Sequence, residues 1–97
     1  MTFQIIYPKQ LKSMMERRDT VLVDIRSREE YANGHYPGAV NWHLEAMPDY
    51  ERRFRKNRFY ILYCEHGGSS LQFARELGQK GYRMGSVLGG WESMRGS

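Results

Sequence analysis

The chain has 97 residues, 40% of them hydrophobic, and a formal net charge of +4; this supplies one modest core and no length for a second ordinary domain. No apolar run approaches the ~18 residues of a membrane helix, and the N-terminus lacks the basic and apolar regions of a signal peptide, so residues 1–97 are expected to form one cytoplasmic domain without membrane contact. Its single cysteine, Cys64, excludes an intrachain disulfide framework and argues against a cysteine-based zinc site.

In chain order, Phe3-Gln4-Ile5-Ile6 reads as a first strand. Pro8 suits a first helical turn, and Leu11, Met14 and Met15 follow at helical spacing. Val21-Leu22-Val23-Asp24-Ile25 is a near-continuous apolar run, as in a strand covered on both faces. Ser27 is placed to cap a short helix over Arg28 to Ala32, which Asn33-Gly34 ends. His35-Tyr36-Pro37-Gly38 is turn chemistry before a short apolar stretch, Ala39-Val40. Leu44 to Phe54 is a loose helical candidate interrupted by Pro48. Tyr60-Ile61-Leu62-Tyr63 is a second buried strand that ends directly on Cys64. After Glu65-His66-Gly67-Gly68, Ser69 or Ser70 is expected to cap a helix with Leu71, Ala74 and Leu77 on one face. Gly78 and Gly81 punctuate its end, Ser86-Val87-Leu88 is a last strand, and Trp91 to Met94 a closing turn or helix. Strands alternating with helices imply an α/β fold with a parallel sheet.

Positive charge concentrates in Arg52-Arg53-Phe54-Arg55-Lys56-Asn57-Arg58, just after Glu45, Asp49 and Glu51. No zinc-finger spacing or RNA-recognition string accompanies it, so nucleic acid is not an expected partner. The run reads as a solvated helix end, or as a surface that steers a small anion or an acidic partner.

Cys64 stands where parallel-sheet proteins place their chemistry, at the carboxyl end of a buried strand just before a helix. Two glycines let the following backbone curl so that successive N–H groups face one concavity, and the helix start adds further unpaired N–H groups. Both effects favour a sulfur anion, which makes Cys64 a candidate nucleophile, and both suit a small oxyanion. The competing reading is a buried structural cysteine at a strand end.

Three segments in order resemble the rhodanese family. Asp24-Ile25-Arg26-Ser27-Arg28-Glu29-Glu30-Tyr31-Ala32-Asn33-Gly34-His35-Tyr36-Pro37-Gly38-Ala39-Val40-Asn41 is similar to its N-terminal signature. Cys64-Glu65-His66-Gly67-Gly68-Ser69-Ser70 resembles its active-site loop, and Leu88-Gly89-Gly90-Trp91 its C-terminal signature. The pattern Cys-x-His-Gly-x-Ser-Ser is similar to that of single-domain bacterial thiosulfate sulfurtransferases. The resemblance implies a five-stranded, mostly parallel sheet flanked by helices, and transfer of a sulfane sulfur through a persulfide on Cys64. It implies thiosulfate or a persulfide as donor and a thiol, cyanide or a protein cysteine as acceptor, with no metal or organic cofactor. Backbone N–H groups from Glu65 to Ser70 would hold the persulfide, with the Ser69 and Ser70 hydroxyls as added donors; His66, two residues from Cys64, is placed to assist proton transfer or tune the loop, and reads equally as a solvent-facing loop histidine. Asp24 would support the site, Arg26 and Glu30 would form an ion pair, and His35 would be a hydrogen-bonded scaffold residue. Trp42, Trp91 and Tyr36 read as core aromatics.

The loop from Cys64 to Ser69 is one residue shorter than in rhodanese-fold phosphatases and lacks their closing arginine, which disfavours phosphate chemistry. Glu65 departs from the basic or neutral residue that many family members carry after the cysteine, and so favours a neutral or thiol-borne donor over thiosulfate. The alternative within the family is a non-catalytic module that binds a partner protein. With one cysteine there is no intrachain resolving thiol, so any sulfur taken up must leave to an outside acceptor.

Overall fold

The computed structural model describes residues 3–95. Five strands form one sheet: β1 (Phe3–Ile6), β2 (Thr20–Asp24), β3 (Val40–Asn41), β4 (Phe59–Tyr63) and β5 (Arg83–Val87). Their order is β1-β5-β4-β2-β3, and every pairing is parallel. The helices are α1 (Leu11–Met14), α2 (Arg28–Ala32), α3 (Gly68–Gln79) and α4 (Gly90–Met94). The expected loose helix from Leu44 to Phe54 resolves into two 3-10 turns, Leu44–Ala46 and Tyr50–Arg53, on either side of Pro48.

β4 lies at the centre, and all five of its residues are buried. Its side chains alternate between two cores, as the pleat requires. Tyr60, Leu62 and, just past the strand, Cys64 join Val23, Ala74 and Leu77 on the α3 side. Phe59, Ile61 and Tyr63 join Leu11, Leu22 and Met94 on the side of α1 and α4. Trp42 packs on the first core, and Trp91 and Tyr36 on the second.

Three local expectations change. Leu71 is exposed, and the buried stripe of α3 is Ser70, Ala74, Leu77 and Gly78; the helix also begins two to three residues earlier than its serines suggest. Its N-cap is Gly67 at φ +102°, not Ser69 or Ser70. β5 begins at Arg83 rather than Ser86, and Gly85 belongs inside it. A Cβ at Gly85 would stand 2.9 Å from Ile6 Cγ1 and 3.2 Å from Phe59 Cζ, so the close packing there needs a glycine despite its poor strand propensity.

Parallel connectivity decides where a cleft forms. The chain leaves β2 through α2, whose Tyr31 packs on the second core, and reaches β3 on one side. It leaves β4 through α3, over the first core, and reaches β5 on the other. The connections diverge between the carboxyl ends of β2 and β4, the position where open α/β sheets hold ligands.

The last helix braces the loop beyond β4. Trp91 N–H donates to the Cys64 carbonyl at 2.7 Å, and Glu92 N–H to the Glu65 carbonyl at 3.0 Å. Gly90, at φ +62°, makes this approach possible: a Cβ there would collide with the Cys64 carbonyl oxygen and lie 2.8 Å from the Glu65 carbonyl carbon. Gly90→Ala is expected to lower stability by about 2 kcal/mol, from backbone strain alone. Urea unfolding checks this, and an unchanged midpoint would show that the loop and α4 are not locked together.

Candidate active site

A cleft of about 290 Å³ opens at the divergence of β2 and β4. Ile25, Arg26, Ser27 and Glu30 line it from the β2 side, and Cys64, Glu65, His66, Gly68 and Ser69 from the β4 side. His43 and Glu45, from the first 3-10 turn, complete the mouth. A wider hollow of about 500 Å³ sits at the amino ends of β1, β4 and β5, but no cysteine, serine or histidine lines it.

Cys64 Sγ is the centre of the cleft's hydrogen bonding, although the residue is only 8% exposed. Gly67 N–H reaches it at 3.1 Å and Ser70 N–H at 3.4 Å. Both groups belong to the start of α3, where N–H donors have no partner within the helix. Gly67, as N-cap, has no side chain to accept from them, so the sulfur fills the place that a Ser or Asp oxygen usually takes. The Ser70 hydroxyl lies 3.6 Å from Sγ. Negative charge on this sulfur meets two backbone N–H donors and the positive end of a twelve-residue helix.

Beneath the sulfur lies a residue that carried no signal in the sequence. Ser86, 2% exposed within β5, meets the Ser70 hydroxyl at 2.8 Å. Ser70 is itself fully buried and can donate to only one acceptor at a time among Gly67 O, Ser86 Oγ and Cys64 Sγ. When Ser86 donates to Ser70, the Ser70 proton is available to a sulfur anion.

The other expected residues take definite places. Asp24 is fully buried, and its carboxylate accepts from Arg26 backbone N–H at 2.9 Å, Nε at 3.0 Å and Nη2 at 2.7 Å. The Arg26 side chain is 4% exposed and also donates to Gly34 O at 2.7 Å and Glu65 Oε1 at 3.1 Å. Burial works against the Arg26 charge, yet Asp24 and Glu65 hold the guanidinium above its ordinary range. The expected Arg26–Glu30 pair does not form. Glu30 instead closes a capping box on α2, accepting from Ser27 N–H at 3.2 Å while Ser27 Oγ accepts from Glu30 N–H at 3.2 Å. Arg26 finds Asp24 because residues two apart in extended chain point the same way.

His35 is outside the cleft lining; its Nδ1 lies 2.8 Å from Tyr31 O, and its ring stacks on Tyr31 at 3.7 Å. His66 is exposed at the rim and takes no part in the hydrogen bonds to the sulfur. Ser69 lines the cleft, but of the two serines it is Ser70 that reaches Sγ. The basic run does not line the cleft: Arg53 lies over Trp42, and Lys56 donates to Lys80 O. Among the described residues no cluster of metal-binding side chains occurs, and no helix is long and apolar enough to cross a membrane.

Ser86→Ala is expected to slow alkylation of Cys64 by iodoacetamide at pH 7 by about three- to tenfold, the worth of one neutral hydrogen bond. Time-resolved intact mass measures it, and an unchanged rate would show that the buried hydroxyl pair does not act on the sulfur.

The sequence matches the rhodanese-like domain family over residues 7–97. It is 34% identical over 92 residues to the thiosulfate sulfurtransferase GlpE of Glaesserella parasuis, covering 94% of this chain and 85% of that one. It is 42% identical over 72 residues to a tRNA sulfurtransferase of Desulfurococcus amylolyticus, covering 74% of this chain but 14% of that much longer protein. Among solved structures, a rhodanese-like domain protein from Staphylococcus aureus superposes with a TM-score of 0.81 at 29% identity, covering 94% of this chain and 90% of that one.

Proposed function

The chain belongs to the rhodanese-like domain family, and on that premise we propose that Cys64 carries a sulfane sulfur from a donor to a thiophilic acceptor as a persulfide. The observation that supports this most is the pair of backbone donors on Sγ, Gly67 N–H and Ser70 N–H, with the Ser70 hydroxyl beside them at 3.6 Å. An arrangement that stabilises charge on one sulfur also stabilises the reacting atom of a thiolate and of the persulfide that replaces it.

The chemistry is two displacements at sulfur. The Cys64 thiolate attacks the outer sulfur of a donor R–S–SH; the Sγ–S bond forms, the donor S–S bond breaks, and R–S⁻ leaves with the electron pair. With thiosulfate the leaving group is sulfite, and Cys64 retains the anionic persulfide. An acceptor thiolate or cyanide then attacks the outer sulfur and releases the Cys64 thiolate. No net oxidation occurs, and no cofactor is required. Cys64 is the nucleophile; Glu65 to Ser70 form the substrate-binding loop, within which Gly67 and Ser70 bind the sulfur. Asp24 and Arg26 position the loop through Glu65, while Glu30 and His35 hold the β2-side scaffold. Arg26 and Glu65 stand on opposite walls of the cleft, so their ion pair fixes its width.

Incubation with a persulfide donor is expected to add one sulfur atom to the chain, seen by intact mass, and to add none to the Cys64→Ser variant. Later addition of cyanide should remove the adduct and release thiocyanate in equal amount. A wild-type chain that gains no sulfur from any donor would contradict sulfur transfer and leave the partner-binding module as the reading.

A further inference from the structure

The charges at the mouth of the cleft define the class of donor, an inference that rests on the sulfur-transfer reading. Arg26 is the only lysine or arginine among the lining residues. Its guanidinium lies between two carboxylates, Asp24 at 2.7 Å and Glu65 at 3.1 Å. Asp24, fully buried, already balances the single positive charge, so the triad carries a surplus of one negative charge, which the one-third-exposed Glu65 presents to the cleft. Glu30 and Glu45 line the same mouth. The N–H donors described above are directed at Sγ, and the basic run lies outside the lining.

A donor approaching Cys64 therefore passes three carboxylates with no uncompensated cation to receive it. Thiosulfate brings two negative charges and meets repulsion from one-third-exposed Glu65 at close quarters and from exposed Glu30 and Glu45 at the rim, where salt screens it. The persulfide group of an organic thiol itself carries at most one charge, and its scaffold can be uncharged or cationic. We propose that the donor for Cys64 is a persulfide borne on an uncharged or cationic thiol, and that Glu65 is the specificity-determining residue that turns away dianionic donors. The transfer balances as written above: the Sγ–S bond forms, the thiol carrier leaves as R–S⁻, and the proton stays on the transferred sulfur.

Loading of Cys64 is measured by rapid quench and intact mass with three donors: N-acetylcysteine amide persulfide (uncharged scaffold), mercaptosuccinate persulfide (dianionic scaffold) and thiosulfate. The two persulfides share their chemistry and differ in charge. The wild-type chain should load from the uncharged persulfide about tenfold or more faster than from the dianionic one. Glu65→Gln should lower that ratio about tenfold and raise the thiosulfate rate. Raising the salt from about 0.05 to about 0.5 M should speed wild-type loading from both dianionic donors. Equal wild-type rates for the two persulfides, or a ratio that Glu65→Gln leaves unchanged, would overturn the assignment. Should Glu65→Gln lose loading from every donor, its loop has collapsed, and the wild-type ratio and its salt dependence decide. Absence of loading from all three donors in the wild-type chain would instead overturn sulfur transfer itself.

Discussion

A helix that begins on a glycine has no side chain to cap it, and here the sulfur of Cys64 is the acceptor that α3 uses. Gly67 N–H and Ser70 N–H end on Sγ because the left-handed turn at Gly67 brings the start of the helix back toward the strand it left. The neighbouring peptides face the other way. The Cys64 and Glu65 carbonyls are held by Trp91 and Glu92 N–H groups, so in planar trans peptides the N–H groups of Glu65 and His66 point away from α4. One helix start thus meets the sulfur while another holds the carbonyls behind it. The Leu88-Gly89-Gly90-Trp91 segment matters for this reason: Gly90 lets α4 reach the loop backbone at a distance no side chain would permit.

The β2 side of the cleft works differently, through charge rather than backbone. A fully buried carboxylate is costly unless paired and hydrogen-bonded, and Asp24 meets that requirement with the backbone and guanidinium of Arg26. The same guanidinium extends past its partner to Gly34 O and Glu65, tying the turn after α2 to the loop after β4. It also lies 5.7 Å from the Tyr63 ring and 5.2 Å from the Trp91 ring, which cover it from the second core. Three segments distant in sequence are joined by one side chain.

Much of this was legible in the sequence. A run such as Tyr60-Ile61-Leu62-Tyr63 has few alternatives to a strand buried on both faces, and it delivers Cys64 to the edge of a cleft. Ser27 announced the start of α2, while the capping box that Glu30 closes with it was not read from the sequence. The start of α3 was not legible, because Ser69 and Ser70 are good capping residues, and only the fold shows that the sulfur has taken that role. The pair of Arg26 with Glu30, expected from the family resemblance, gives way to Asp24, two residues back along the extended strand exit. Ser86, His43 and Glu45 reach the site by tertiary placement alone: nothing in their neighbourhoods differs from ordinary strand or turn sequence. The family signatures marked the right segments, while their hydrogen bonds depended on the fold.

The sheet order also bears on how the site comes into being during synthesis. β1 pairs with β5, Phe3 beside Met84, so this strand finds its neighbour only after some eighty further residues have been made. The brace from α4 comes later still. Contacts between such distant segments form slowly, since a long loop must close before any of them is rewarded. A nascent chain can therefore expose Cys64 well before Ser86, Trp91 and Glu92 exist to hold the loop around it. The sulfur becomes a defined chemical centre only when β5 and α4 have joined the sheet, so assembly of the site waits on the most distant contacts of this domain.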